Sequence, residues 1–255
     1  SHLCPGLTSP PEFHGTHVAG TIAAMTNNAA RVAGVSWTSK IMPIRVLGRL
    51  GGDLLDINDG IRWAAGFSAS GGQSPRRADI INMSLGGPRE FPVPCSASQQ
   101  EAINSALGQG LIIVVAAGNE NQPTKSPANC QGVIAVSAVD RFGFPTAYSN
   151  AGPEIVVGAP GGQTKSDLAE PDLFAPFNPF AVKGPIANRF MSTQDGVLST
   201  IFFSQPGSGL RRAEEYFYPG TSMAAPHVAG VIALMKTVHP GLTNAQLASL
   251  VTAGR

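Results

Sequence analysis

Charge is scarce in this sequence, as are cysteine and long apolar runs, and each shortage excludes a class of protein. Asp, Glu, Lys and Arg make up 13 % of the 255 residues, and the formal net charge is +1. That balance offers neither nucleic acid nor a membrane surface a reason to bind. No apolar run reaches the roughly 18 residues of a spanning helix. The first residues, Ser1-His2-Leu3-Cys4-Pro5, do not resemble a signal peptide, and they fit a mature or truncated chain as well as a cytosolic one. There are three cysteines, Cys4, Cys95 and Cys130, so at least one thiol is free or has its partner outside the chain.

What the chain has is loop chemistry and alternating elements. Its 30 glycines and 21 prolines suggest many tight turns rather than a helix bundle. Ile41–Leu47 reads as a strand, and Asp56–Ala65 puts Ile57, Ile61 and Ala64 at helical spacing. Asp79–Met83 reads as a second strand, running into Ser84-Leu85-Gly86-Gly87. Ala97–Gln109 reads as a helix stopped by Gly110. Leu111–Ala117 is apolar on both faces, as a buried parallel strand is, and Val133–Val139 and Ile155–Val157 follow. This alternation predicts an α/β fold with a mostly parallel sheet and helices packed on it. Residues 163–215 break the rhythm with proline-rich apolar sequence and read as a long surface excursion. A helix follows over Ser222–Val238, and a last one starts at Thr243, where Gln246 completes a capping-box pattern. Cys95 and Cys130 lie in loop-like sequence flanking a helix–strand unit; composition alone leaves open whether they are bridged.

Three segments join reactive side chains to small residues. His14-Gly15-Thr16-His17-Val18-Ala19-Gly20 opens a helix, Ala116-Ala117-Gly118-Asn119-Glu120 ends an apolar strand, and Gly220-Thr221-Ser222-Met223-Ala224-Ala225 begins another helix. A serine hydroxyl becomes a good nucleophile when a base such as histidine removes its proton. At a helix start, backbone N–H groups and the helix dipole stabilise a developing oxyanion. An asparagine at the carboxyl end of a parallel strand lies where open α/β sheets bind ligands, and its amide can donate a second oxyanion bond. Taken singly, such a histidine is more often structural, such a serine a helix cap and such an asparagine a turn residue. Their joint occurrence in extended strings points to acyl transfer to water.

Those strings resemble the subtilisin family of serine proteases, and the likeness runs along almost the whole chain, including Ile81-Asn82-Met83-Ser84-Leu85-Gly86-Gly87. The resemblance is to the secreted bacterial branch and implies a three-layer α/β fold. It gives His14 the role of general base and then acid, Ser222 that of nucleophile, and Asn119 that of oxyanion donor. It makes Ser84, Leu85 and Gly86 a strand that pairs with substrate. Ala116, Ala117 and Gly118 become a wall of the specificity pocket, with Glu120 near its base, where an acid would tolerate basic or polar side chains. His17 and His227 match structural positions. The branch pairs cysteines at the places of Cys95 and Cys130. Implied too are a polypeptide substrate, a monomeric secreted protein, chemistry without a cofactor, and structural calcium. For calcium, Asp53, Asp56 and Asp59 are candidates, the competing reading being an acidic helix start. An esterase reading fails, because Ser222 is not in a Gly-x-Ser-x-Gly elbow.

One element of the pattern is missing. The family's triad begins with an aspartate at the end of a central strand ahead of the histidine. Residues 1–13 contain no aspartate, and Glu12 is their only acid. Loss of that aspartate alone costs subtilisin about 3 × 10⁴ in turnover. Three readings follow: a fragment of a longer product, a chain completed by a separate N-terminal piece, or a pseudoprotease that binds peptides without cutting. The fragment reading is preferred, because loss of a central strand would leave two neighbours with unpaired backbone groups. Cys4 then has no partner here, since the matching cysteine position holds Leu50.

Overall fold

Period-two alternation along four short strands sends their side chains to two separate cores. The computed structural model describes residues 13–30, 32–48, 51–68, 76–87, 93–163, 195–204 and 211–253. Strands β1 (Ile80–Met83), β2 (Ile112–Ala116), β3 (Ile134–Val139) and β4 (Ile155–Pro160) form one parallel sheet in that spatial order. Ile113 and Val115 point to one face, where they meet Ile61 of α2 (Leu54–Ala64) and Ile103 of α3 (Ala97–Gly108). Ile112, Val114 and Ala116 point to the other and meet Ala224, Val228 and Ile232 of α4 (Thr221–Val238). The protein is therefore a three-layer α/β fold. β2 is buried at every position, which is why its sequence lacks a polar face.

The helix ends follow local chemistry. Asp53 caps α2 by accepting from Leu55 N at 2.7 Å, and Ser96 caps α3 by accepting from Gln99 N at 3.2 Å. Thr243 and Gln246 form the expected reciprocal box ahead of α5 (Asn244–Ala253): Thr243 N donates to Gln246 Oε1 at 2.8 Å, and Gln246 N to Thr243 Oγ1 at 3.3 Å.

Within the 163–215 stretch, residues 164–194 and 205–210 lie outside the described residues. The remainder contributes β5 (Val197–Ser204), which pairs antiparallel with β6 (Arg211–Tyr218). This ribbon packs on α1 (His14–Ala23). A methyl group at Gly20 would collide with Ser199 and Thr200, so the absence of a side chain there lets helix and ribbon close up.

One expected strand is not formed. Ile41–Leu47 alternates exposed and half-buried positions, yet it makes no ladder among the described residues. Its pattern is that of a strand, and what is lacking among the described residues is a neighbour to pair with. α2 covers both this segment and β1: Gly60 lies against Val46 and Ile44, while Ile57 and Ile61 share a core with Ile81 and Met83. β1 itself pairs with β2 alone among the described residues.

Cys95 and Cys130 are bridged, with their Cα atoms 5.1 Å apart and a sequence separation of 35. Closing a loop of that length removes denatured-state entropy worth about 4 kcal/mol on the chain-entropy model. The double substitution Cys95→Ser/Cys130→Ser should lower the free energy of unfolding by that order. Chemical denaturation checks this; an unchanged midpoint would show that the bridge constrains nothing.

Candidate active site

Helix α4 begins where the carboxyl ends of β1 and β2 meet it, and polar side chains lock the junction. Asn119 Oδ1 accepts two bonds from Thr221, from its backbone N at 2.8 Å and from Oγ1 at 2.9 Å. Thr221 Oγ1 in turn accepts from Gly118 N at 3.1 Å. With Oδ1 occupied, the amide orientation of Asn119 is set and Nδ2 remains as its donor. From the β1 side, Ser84 Oγ donates to the Ser222 carbonyl at 2.8 Å, and Ser222 Oγ makes a long contact of 3.5 Å to the Ser84 carbonyl. Met223 N and Ala224 N both turn back to Gly220 O. The Ser222 N–H is one of the first-turn donors that an α-helix leaves over. Asn119 Nδ2 and Ser222 N are thus two donors at one helix start.

Asn150 holds the loop after β2. It is fully buried; its Oδ1 accepts from Glu120 N and Gln122 N, and its Nδ2 donates to Ala117 O and Glu120 Oε2. Gly118 has φ +109°, and a Cβ there would strike the Asn150 amide. Only glycine fits that position.

The expected specificity residues do line one cleft of about 150 Å³. Leu85, Gly86 and Gly87 line it together with Ala116, Ala117 and Gly118. Asn119, Glu120, Thr221 and Ser222 border it as well, together with Lys125, which is 3 % exposed. Ser84 stands outside the lining and acts through its bonds to Ser222. Glu120 does not present a lone acid: its Oε2 accepts from Lys125 Nζ at 2.9 Å, from Asn119 N at 3.0 Å and from Asn150 Nδ2 at 3.0 Å.

His14 opens α1, which packs along α4. His14 and His227 both act electrostatically on His17. His17 is buried, stacks on Tyr218, and its Nε2–H is shared between the carbonyls of Val197 and Tyr216. Burial holds its pKa below the ordinary 6.5, against those carbonyls and with repulsion from His14 and His227 adding to the effect. His227 is lowered by burial too, against the Met223 carbonyl to which its Nδ1–H donates at 2.8 Å. For calcium, Asp53 is spent on its cap, Asp59 pairs with Arg62 at 3.6 Å, and no three acidic, His or Cys side chains converge among the described residues. We assign no calcium site.

With this geometry in view, residues 8–253 match the family model described as the subtilase family. The chain belongs to the subtilase family. It is 42 % identical over 243 residues to an extracellular protease of Xanthomonas campestris, covering 94 % of this chain and 35 % of that protein. An extracellular basic protease of Dichelobacter nodosus is 39 % identical over 88 % of this chain and 31 % of its own length. Among solved structures, a protease from Pseudoalteromonas arctica superposes with a TM-score of 0.76 at 42 % identity, covering 94 % of this chain and 63 % of that one. The chain thus spans about a third of the length of these two relatives.

Three residues of this subtilase site escaped the sequence reading of roles. Thr221 lies beside Ser222 in the same short string and reads there as a bystander. Asn150 and Lys125 sit in no motif, and their partners become visible only when the loop after β2 is folded.

A pH effect follows from the histidines. Both folded pKa values are depressed, so the unfolded chain takes up protons first as pH falls. Stability should be flat above about pH 6.5 and decline from there towards pH 5, and His227→Gln should flatten the decline. Urea unfolding across that range measures it; stability rising on acidification would contradict the assignment.

Proposed function

We propose that this chain is the catalytic portion of an exported serine endopeptidase. The observation that carries the reading is the pair of donors at the start of α4, Asn119 Nδ2 and Ser222 N, next to the Ser222 hydroxyl. A polypeptide lies along Ser84-Leu85-Gly86 as an added strand, with one side chain in the cleft between Gly86 and Gly118. His14 takes the proton of Ser222 Oγ as the oxygen attacks the peptide carbonyl. The resulting oxyanion accepts from Asn119 Nδ2 and Ser222 N, and His14 then gives its proton to the leaving amine. Water enters the acyl-enzyme by the same steps in reverse order. No cofactor takes part in this chemistry. The extracellular relatives and the Cys95–Cys130 bridge support an oxidising, extracellular location.

The imidazole still needs a carboxylate to fix its tautomer and support its cation. In our reading an aspartate-bearing strand from outside residues 1–255 supplies it and lies between Ile41–Leu47 and β1. Three observations support this place. Ile41–Leu47 has strand alternation without a partner strand among the described residues. β1 pairs on one side only among the described residues. And the buried Oδ1 atoms of Asn58 on α2 and Asn82 on β1 have no hydrogen-bond partner among them.

A fluorophosphonate probe should label the longer parent protein at Ser222 and fail on Ser222→Ala. Asn119→Ala should retain binding but lower turnover by about 10²–10³. The 255-residue chain alone should turn over peptide on the order of 10⁴ more slowly than the parent. A parent protein that resists the probe while binding peptides would instead be a non-catalytic peptide-binding module.

A further inference from the structure

The β5–β6 ribbon takes no part in the chemistry drawn above, yet it adjoins both helices that carry it. β6 ends at Tyr218, and only Pro219 and Gly220 separate it from the first residue of α4. β5 holds α1 by its backbone: Ser199 Oγ donates to the His17 carbonyl at 2.7 Å and Thr200 Oγ1 to the Thr16 carbonyl at 3.2 Å. His17 answers from the helix side. Its ring is buried and stacks on Tyr218, and its Nε2–H is shared between Val197 O at 3.0 Å and Tyr216 O at 2.9 Å. The first carbonyl belongs to β5 and the second to β6, so one N–H ties α1 to both strands. No side chain caps the start of α1. Phe13, just before it, rests against Phe202 of β5 with ring centroids 5.8 Å apart.

We propose that His17 is a positioning residue, latching α1 to the ribbon and so fixing the His14 imidazole relative to Ser222. It takes no proton in the reaction and acts through His14, its neighbour one turn back on the helix. The same ribbon runs into the start of α4, so it refers the base to the nucleophile. A misplacement of about 1 Å costs on the order of 10² in rate, and the latch holds the helix against such drift. It closes in one protonation state. With Nε2–H donating, Nδ1 is a buried lone pair that has no hydrogen-bond partner among the described residues. A proton there would bury a charge and an N–H that nothing accepts. Around the ring, α1 brings His14, α4 brings His227, and β6 brings Glu214, Glu215, Tyr216 and Tyr218; β5 has no titratable side chain. Burial outweighs the two carbonyls and, with repulsion from His14 and His227, keeps the His17 pKa below the ordinary 6.5. The latch is therefore shut at neutral pH and opens on acidification. Its role in turnover rests on the reading of His14 and Ser222 as base and nucleophile.

Two variants separate the donor from the charge. His17→Phe keeps a ring against Tyr218 and loses the Nε2–H, whereas His17→Gln keeps an amide that donates to the two carbonyls and takes up no proton. Amide hydrogen exchange on the 255-residue chain reads the latch without any turnover. In His17→Phe, amides of α1 and the ribbon should exchange about tenfold faster or more, with β2 still protected as the control for folding. If β2 protection is lost as well, Ser199→Ala loosens the same contact more gently and should give the local effect. Turnover by the longer parent protein reads the positioning. His17→Phe should lower kcat about tenfold or more and leave KM within about twofold, and His17→Gln should recover most of the loss. At the acid end, log kcat should fall with a slope of about two in the wild type and about one in His17→Gln. Unchanged exchange in both His17→Phe and Ser199→Ala would overturn the latch, and equal acid slopes would overturn its opening by protonation. Faster exchange with kcat intact, or an effect on KM alone, would overturn the positioning role. A parent that turns over no peptide while its ribbon stays protected would overturn the reading of base and nucleophile, leaving the latch as a contact of the fold.

Discussion

The clamp between Thr221 and Asn119 is the contact on which the site depends. It joins the start of α4 to the end of β2 across about a hundred residues of sequence, and each of its bonds involves an atom whose orientation matters for chemistry. Asn119 Oδ1 takes both Thr221 donors, so its amide presents Nδ2 as the donor. Thr221 Oγ1 takes Gly118 N, which fixes the turn that carries Asn119. Three such bonds contribute roughly 1 kcal/mol each to stability. In the proposed mechanism their larger consequence is preorganisation, because donors already in place need no rearrangement as charge develops.

The layers explain why the clamp can form. Ala224, Ala225 and Ala229 of α4 are almost completely buried against the sheet, and small side chains let the helix approach the strands closely. On the opposite face, Ile103 and Ile61 press the sheet from below. β1 and β2 are therefore held on both faces, and their carboxyl ends deliver Ser84 and Asn119 to the same helix start. The cleft inherits that rigidity on both walls. Asn150 adds four bonds to the loop beyond β2 and so ties down the segment that includes Glu120.

Much of this was legible in the sequence, for reasons that differ by element. β2 could be read because an unbroken apolar run between turn signals has few alternatives, and α5 because its capping box is a local event. The reactive strings could be read because each packs its small residues and its polar group within a few positions. Ile41–Leu47 misled because a strand is defined by its neighbour, and alternation records only the intention to pair. The surroundings of Glu120 were hidden for a related reason. Its charge is visible in sequence, but its neutralisation depends on a lysine that the chain brings back into the cleft only through the loop between β2 and β3. Asn150 gave no local signal at all, since all the partners of its side chain lie about 30 residues away.

The account's central claim is that the start of α4 is an oxyanion site facing a peptide cleft. A crystal structure of the protein with a peptide boronic acid tests it most directly. The account predicts a bond from boron to Ser222 Oγ, one boronate oxygen accepting from Asn119 Nδ2 and Ser222 N, and the terminal side chain lodged between Gly86 and Gly118. A boronate bound elsewhere, or an Asn119 amide turned away from it with Thr221 still in place, would contradict the account.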